Sequence, residues 1–370
     1  MIFALFDKIK IEFNIYYLNI HNTYHYIIYI YYMTSYYDLY QGSYYMPLTN
    51  FDNLMEQLSK DGVAIIPNIL NQDQINYTTQ QMHNWLENIF VDPKDKIKMN
   101  DVSTYRNFYK LMPLHGGILQ HFGIGHQQFV WDIRQNRQII EIFSHIWNVS
   151  NDDLLVSFDG VNFNFPPEFT KRAYYRGGHW FHTDQANTKI GLHCVQGMIN
   201  IFDIEQGDAT FSVLTGSNNL HEEFMKEHNI NTSIDWYRIS DANLQWFIDK
   251  GCKWKNILAP AGSIILWDSR LFHMAMEATL ERPKPHFRFG IYVCMLPKSK
   301  AKSTDIEKRI LAFNQRRMTT HWPYNKFRLF PKFPRTYGID LPILNNLPIK
   351  LKLKSRALGL IGFKNKQKII

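Results

Sequence analysis

The sequence has little cysteine, no internal repeat and no low-complexity linker. Its three cysteines, Cys194, Cys252 and Cys294, lie far apart along the chain. This spacing argues against a disulfide scaffold and a cysteine-ligated zinc site, and it predicts a reducing, cytoplasmic environment. With 45% hydrophobic and 20% charged residues, the composition is typical of a globular protein rather than a disordered one.

The N-terminal region lacks charge of either sign over a long stretch. Residues 13–37 contain no Asp, Glu, Lys or Arg and are dense in Tyr and Ile. Asn, His and Thr interrupt every apolar run, so no stretch of about 20 apolar residues is available to span a membrane. No small-residue cleavage site follows a compact apolar core, and we expect no signal peptide. We treat residues 1–45 as an extension of doubtful structure, with Met33 or Met46 as alternative starts.

The net charge of +8 is unevenly distributed. Residues 298–370 contain 18 Lys or Arg and three acidic residues, so residues 1–297 have a balance of −7. We interpret residues 298–370 as a basic C-terminal extension. A solvated segment that wraps the domain is the favoured interpretation, and binding to nucleic acid or another anionic surface is the alternative.

Regular structure is predicted to begin near Asn50, as a helix, a strand and a second helix. Asn50 precedes a short amphipathic run that ends at Gly62, and "VAIIP" then predicts a strand that stops at Pro67. Asn71 is the predicted N-cap of the second helix. Apolar residues follow it at near-helical spacing: Ile75, Met82, Trp85, Leu86 and Ile89.

The pattern of apolar residues changes from about Leu154. Short apolar runs recur every ten to fifteen residues and are separated by turn signals such as "DG" and "PP". This pattern predicts a mainly β fold with flanking helices, as a sandwich or barrel rather than a parallel α/β sheet. One helix is predicted between Ser240 as its cap and Gly251 as its end.

The stretch "GGHWFHTDQ" contains the pattern His182-Thr183-Asp184. A lone His-x-Asp is expected by chance in a chain with fifteen histidines. If this stretch is extended, however, His182 and Asp184 point to one face, because side chains alternate along a strand. His273, after the apolar run "SIILW", is the best third ligand. Two histidines and one carboxylate form the ligand set of non-haem Fe(II) oxygenases and leave three coordination positions open.

Three segments in this order resemble the phytanoyl-CoA dioxygenase family of Fe(II)/2-oxoglutarate oxygenases. They are "LSKDGVAIIPNILNQDQI", "FHTDQ" and "GSIILWDSRLFHMA", and the likeness covers about residues 50–297. In the connecting segment, Thr215-Gly216-Ser217-Asn218 stands where the family usually has Pro-Gly-Ser-His. The resemblance implies a double-stranded β-helix core, of jelly-roll or cupin-like form, that is supported by N-terminal helices. It places the oxygenase domain at residues 46–297.

The resemblance also implies a binding site for 2-oxoglutarate. The family has an arginine at the start of its last strand, which binds the distal carboxylate of the cosubstrate, and "HFRFGIYV" supplies Arg288. Gly290 would share its face and leave room for the cosubstrate. Arg282 is the rival, although Pro283 follows it. Asn200 and Gln196 are further candidates for the pocket, and either could instead satisfy buried backbone groups.

Other histidines fit the metal site less well. His179 and His182 are three residues apart, so their side chains point to opposite faces of a regular strand. His193 lies in the next strand. The stretch "HEEFMKEH" at residues 221–228 lacks the His-Glu-x-x-His spacing, because Met225 occupies the required position. We interpret it as a solvated helix.

The resemblance implies an Fe(II)- and 2-oxoglutarate-dependent dioxygenase. It would use O2 to oxidise a small-molecule or acyl substrate, with release of succinate and CO2, and the carboxylate of Asp184 favours hydroxylation over halogenation. Two alternatives remain. One is a cupin-type metal-dependent isomerase or hydrolase that does not use 2-oxoglutarate, and the other is a non-catalytic nucleic-acid-binding protein with a basic tail. Neither the substrate nor the oligomeric state can be predicted from the sequence.

Overall fold

The computed structural model describes residues 42–115, 117–280, 282–325, 327–347 and 351–363. The predicted N-terminal extension therefore lies outside the described residues, except for its last four positions. Gly42 and the residues after it group into one unit. The proposed domain boundaries at 45 and 297 stay predictions.

Thirteen strands are present in the described residues. They are β1 (Ser43–Tyr45), β2 (Val63–Ile66), β3 (Ile118–Leu119), β4 (Leu154–Val156), β5 (Val161–Asn164), β6 (His182–Thr183), β7 (Val195–Asn200), β8 (Thr210–Thr215), β9 (Tyr237–Arg238), β10 (Lys253–Ile257), β11 (Ile264–Asp268), β12 (His273–Met276) and β13 (Arg288–Pro297). One sheet has the order β1-β10-β8-β12-β6-β9, and the other has the order β2-β11-β7-β13-β5-β3 with β4 also paired to β13. Apart from the parallel pair β1–β10, the strand pairs within these sheets are antiparallel. The predicted mainly β jelly-roll core is confirmed.

Nine α-helices are present in the described residues. They are α1 (Leu54–Asp61), α2 (Gln72–Asn88), α3 (Gln128–Arg134), α4 (Arg137–Trp147), α5 (Pro167–Thr170), α6 (Ser217–Glu227), α7 (Asp241–Asp249), α8 (Ser303–Asn314) and α9 (Ser355–Ile361), with short 3-10 turns at Val102–Leu111, Ile124–His126 and Lys298–Lys300. The predicted N-terminal support is confirmed. Gly62 ends α1 in the left-handed conformation, and Asn71 and Ser240 begin α2 and α7 through capping boxes.

Strand alternation separates the two faces of the second sheet. In β11, Ile264 and Leu266 join the large core beneath the helices, whereas Ile265 and Trp267 pack between the two sheets. In β13 the odd-numbered residues 289–295 pack beneath the helices. Arg288 and Tyr292, at even positions of this strand, point to the opposite face, where Tyr292 packs against the residues between the two sheets.

The C-terminal region packs against the rest of the fold. Phe313, Met318 and Leu360 belong to the large core. Arg309 on α8 is fully buried, and its guanidinium donates to the carbonyl oxygens of Val156, Pro323, Leu360 and Ile361 at 2.6–3.2 Å. Part of this basic region thus packs into the core, while basic side chains such as Lys302, Lys308 and Arg335 are exposed, as the solvated interpretation expects.

The stretch "HEEFMKEH" forms most of α6, as predicted, but only part of it is solvated. His221, Phe224 and Met225 are buried, and the His221 ring contacts the carbonyl oxygen of Gln185 at 3.0 Å. No helix among the described residues is both long enough and apolar enough to cross a membrane.

Candidate metal centre

Three predicted ligands meet at two neighbouring strands of the first sheet. His182 begins β6, Asp184 follows that strand, and His273 begins β12 directly opposite His182 in the register of the two strands. The Asp184 carboxylate lies 3.7 Å from His182 Nε2 through Oδ1 and 3.3 Å from His273 Nε2 through Oδ2. The three ligand atoms lie within 4.8 Å of one another. A single ion could therefore contact all of them.

Hydrogen bonds set the orientation of both imidazoles. His182 Nδ1 lies 3.4 Å from the carbonyl oxygen of Trp180, and His273 Nδ1 lies 2.9 Å from that of Leu271. A carbonyl oxygen can only accept, so each Nδ1 carries the proton and each Nε2 presents a lone pair. This is the tautomer that a metal ligand requires.

Burial and neighbouring charge set the protonation of these groups. Burial, together with the charge of His273, lowers the pKa of His182 to about 3. Burial alone would raise the pKa of Asp184, but its contact with His273 and the charge of His182 lower it well below the usual range. At neutral pH the site therefore presents a neutral imidazole and a carboxylate to a cation, without first having to release their protons.

A glutamine fixes the carboxylate ligand. Gln196 Nε2 on β7 donates to Asp184 Oδ2 at 2.9 Å, and the backbone N–H of Asp184 donates to the carbonyl oxygen of Ser269 at 3.0 Å. Gln196 also lines the cavity described below. The fold thus places Gln196 at the candidate metal site, where its side chain orients Asp184.

We expect Gln196→Leu to weaken metal binding by about tenfold, because outer-shell partners of metal ligands contribute on that scale. Anaerobic titration with Fe(II) would measure this change. Gln196→Glu adds a second carboxylate beside Asp184 and tests charge separately from shape. Unchanged affinity in Gln196→Leu would show that Asp184 needs no support from β7.

The metal ligands open onto a cavity of about 530 Å³. This volume suits a small organic ligand. Trp180 stacks between His182 and His115, with ring centroids 4.9 Å and 4.4 Å apart and interplanar angles of 10° on both sides. Trp236 covers the other side of His182 at 5.8 Å. Trp180 therefore packs directly on a predicted metal ligand.

Arg288 lines the same cavity from the start of β13. It is 6% exposed, and its Nε has no hydrogen-bond partner among the described residues. Burial lowers the pKa of Arg288, but an arginine stays protonated at neutral pH. A buried guanidinium with an unpartnered donor requires an anionic or strongly accepting ligand.

The rival arginine is already paired. Arg282 donates through Nε and Nη2 to both carboxylate oxygens of Glu168 at 2.6 Å, and through Nη1 to Asp208 at 2.7 Å. Its side chain is almost fully buried in these pairs. It is therefore not free to bind a cosubstrate.

Two expectations for this pocket are wrong. Asn200 is at the far end of β7 from Gln196, and its amide donates to the carbonyl oxygens of Phe202, Ala259 and Pro260. Its side chain does not line the cavity and instead forms hydrogen bonds with backbone carbonyl groups. The space beside Gly290 is filled by Met198, since a Cβ at Gly290 would lie 2.4 Å from the Met198 sulfur.

The other histidines that were considered lie elsewhere. His179 Nε2 is 2.9 Å from Asp241, and His193 Nε2 contacts the carbonyl oxygen of Ile190. Neither is among the residues that line the cavity.

Sequence reasoning missed several residues that line the cavity. Two of them have shifted pKa values, because burial raises the pKa of Asp159 to about 6 and that of Tyr292 to about 12. Strand parity with Arg288 could have identified Tyr292. By contrast, Asp159, His115 and His321 reach the cavity from irregular segments, which have no periodicity to read.

No family model matches the sequence. A curated relative, Ava biosynthesis cluster protein O of Aspergillus versicolor, is 25% identical over 288 residues, which cover 76% of this chain and 89% of the relative. Among solved structures, the hypothetical protein JW0805 of Escherichia coli aligns with a TM-score of 0.50 and 12% identity, over 76% of this chain and 79% of that chain. GIG2 (DUF1479) of Candida albicans aligns with a TM-score of 0.48 and 12% identity, over 73% and 70%.

The Escherichia coli structure shows a likeness of fold and no more. Together with the two antiparallel sheets, it defines this chain as a jelly-roll protein with flanking helices. Membership of the phytanoyl-CoA dioxygenase family stays a prediction.

Proposed function

We propose that this chain is an Fe(II)- and 2-oxoglutarate-dependent oxygenase that acts on a small organic substrate. The observation that carries the proposal is the shared cavity: His182, Asp184 and His273 face the same space as Arg288, whose buried Nε lacks a partner. The donor set suits Fe(II), and the arginine suits a carboxylate.

In this proposal each residue has a defined task. His182, Asp184 and His273 bind the iron, and Arg288 pairs with the distal carboxylate of 2-oxoglutarate. Iron and 2-oxoglutarate, when bound, supply the activation of O2 for oxidation of a substrate C–H bond, with release of succinate and CO2. Gln196 orients Asp184, and the stacked ring of Trp180 limits the movement of His182 and excludes water from its face.

Arg288 favours this function over the cupin-type isomerase or hydrolase. That alternative would use the three ligands but would leave a buried arginine without a partner in the same cavity. The nucleic-acid alternative has less support, because it gives no role to the three clustered ligands or to the unpartnered Nε of Arg288. The curated relative belongs by its name to a biosynthesis cluster, and this agrees with a small-molecule substrate.

Anaerobic titration of the apo-protein with Fe(II) and then 2-oxoglutarate tests the proposal. We expect a weak visible charge-transfer band after the second addition and succinate formation once O2 is admitted. Metal uptake with neither the band nor succinate would favour the isomerase or hydrolase. If no metal is bound, the proposed function is wrong.

A further inference from the structure

A segment of the C-terminal region forms one wall of the cavity. We name residues 319–325 and 327–330 the strap. Thr319 exchanges hydrogen bonds with the backbone of Phe158 at 2.9 Å and 3.0 Å, and it forms a β-bridge with Leu329 at the other end of the strap. The strap is thereby fixed beside the second sheet. Five of its residues line the cavity: Thr320, His321, Trp322, Arg328 and Phe330.

The strap brings unpartnered hydrogen-bonding groups to this cavity. His321 Nε2 and Trp322 Nε1 are buried and have no hydrogen-bond partner among the described residues. The exposed guanidinium of Arg328 forms no hydrogen bond or ion pair with a described side chain. Leaving His321 Nε2 and Trp322 Nε1 buried without a partner is costly, so these two groups indicate a ligand with acceptor atoms, and Arg328 adds a positive charge beside them.

The strap and the barrel wall supply separate sets of donors. Trp267 Nε1 and Arg288 Nε, on β11 and β13, are the unpartnered cavity donors of the barrel. In the proposed function, Arg288 is assigned to 2-oxoglutarate. His321, Trp322 and Arg328 lie on a different segment and remain free for the primary substrate. His321 lies close enough to Asp184 and His273 for their charges to act on it.

The nearby acidic group does not cancel the positive character of the strap. Asp235 at the cavity is paired with Lys189 at 2.5 Å, and the Lys189 ammonium lies 3.6 Å from the centre of the Trp322 ring. Part of the cavity lining is apolar and exposed: Leu114, Ile234 and Trp236. The site thus combines the cationic Arg328 and the neutral donors of His321 and Trp322 with an aromatic and aliphatic rim.

We propose that the strap is the anion-binding side of the primary-substrate pocket, and that the substrate is a flat, apolar molecule that carries a carboxylate or phosphate. This inference rests on the proposed function only for the assignment of Arg288 to the cosubstrate. The strap contributes His321 and Arg328 as specificity-determining residues, and the apolar rim contacts the body of the substrate.

Equilibrium dialysis with the full chain tests this inference with three probes: 2-naphthoate, 2-naphthyl phosphate and the neutral 2-naphthylmethanol. We expect at least one anionic probe to bind more tightly than the neutral one, and the stronger of the two identifies the anionic group. His321→Phe and Arg328→Gln should each weaken that probe by about tenfold and change the neutral probe by less than about twofold. Arg335→Gln, an exposed arginine outside the cavity, is the matched control.

The inference is overturned if the neutral probe binds as tightly as both anions, if no probe binds at millimolar concentration, or if Arg335→Gln weakens binding equally. If His321→Phe does not fold, the exposed Arg328 position decides alone. Calorimetric titration with 2-oxoglutarate separates the two proposals. Failure of 2-oxoglutarate to bind would overturn only the proposed function, whereas a loss of 2-oxoglutarate affinity in the strap variants equal to that for the probe would overturn this inference.

Discussion

The Asp184→Ala variant is expected to bind Fe(II) at least about a hundredfold more weakly than the unchanged protein. Asp184 is the only anionic member of the ligand set, and its two oxygens lie 3.7 Å and 3.3 Å from the Nε2 atoms of His182 and His273. Its removal leaves two neutral imidazoles in a buried site, with no charge to offset that of the cation. Anaerobic competition with a chelating dye would measure the affinity.

A second acidic residue beside a histidine provides the matched control. The Asp241 side chain is 84% exposed and lies 2.9 Å from His179 Nε2, outside the cavity. Asp241→Ala should bind Fe(II) as the unchanged protein does. If Asp184→Ala retained its affinity, or if both variants lost it, the metal centre would not be at His182, Asp184 and His273.

Several helix boundaries were predictable because they have a local signal. Asn71 and Ser240 cap their helices through side-chain hydrogen bonds, and Gly62 adopts the positive φ that ends α1. The close approach of His182, Asp184 and His273 followed from strand parity and the resemblance. These signals act over a few residues, and the fold does not override them.

The walls of the cavity could not be predicted in the same way. His115 and His321 come from irregular segments more than 200 residues apart, and only the packed structure shows that both line one cavity. Asn200 shares the parity of Gln196, but parity does not tell which end of β7 faces the metal. At about 3.3 Å per residue, four residues along a strand are enough to leave the site.

The charge of the C-terminal region was an incomplete guide to its structure. A surplus of Lys and Arg predicts solvation when each side chain is assumed to be exposed. Arg309 instead lies in the core, because four carbonyl oxygens at the ends of neighbouring elements accept from its guanidinium. Composition counts charges and does not show which of them have partners.

Arg288→Gln is expected to weaken 2-oxoglutarate binding by about thirtyfold or more, with metal affinity unchanged. Removing one member of a buried, charged hydrogen-bonded pair costs about 2–5 kcal/mol, and each 1.4 kcal/mol is about a tenfold change in affinity. Glutamine keeps part of the side-chain volume but loses the charge and the two parallel donors. Calorimetric titration with 2-oxoglutarate, with a redox-inert divalent metal bound, would measure the change.

Two further variants serve as controls for the Arg288→Gln measurement. Arg288→Lys keeps a charge but cannot form two parallel hydrogen bonds to a carboxylate, so its affinity should fall between those of the unchanged protein and Arg288→Gln. Arg282→Gln removes the pairs with Glu168 and Asp208, and it should lower the Tm while leaving the 2-oxoglutarate affinity of the folded protein unchanged. If Arg282→Gln weakened 2-oxoglutarate binding and Arg288→Gln did not, the cosubstrate would bind elsewhere, and the unpartnered Nε of Arg288 would need a different ligand.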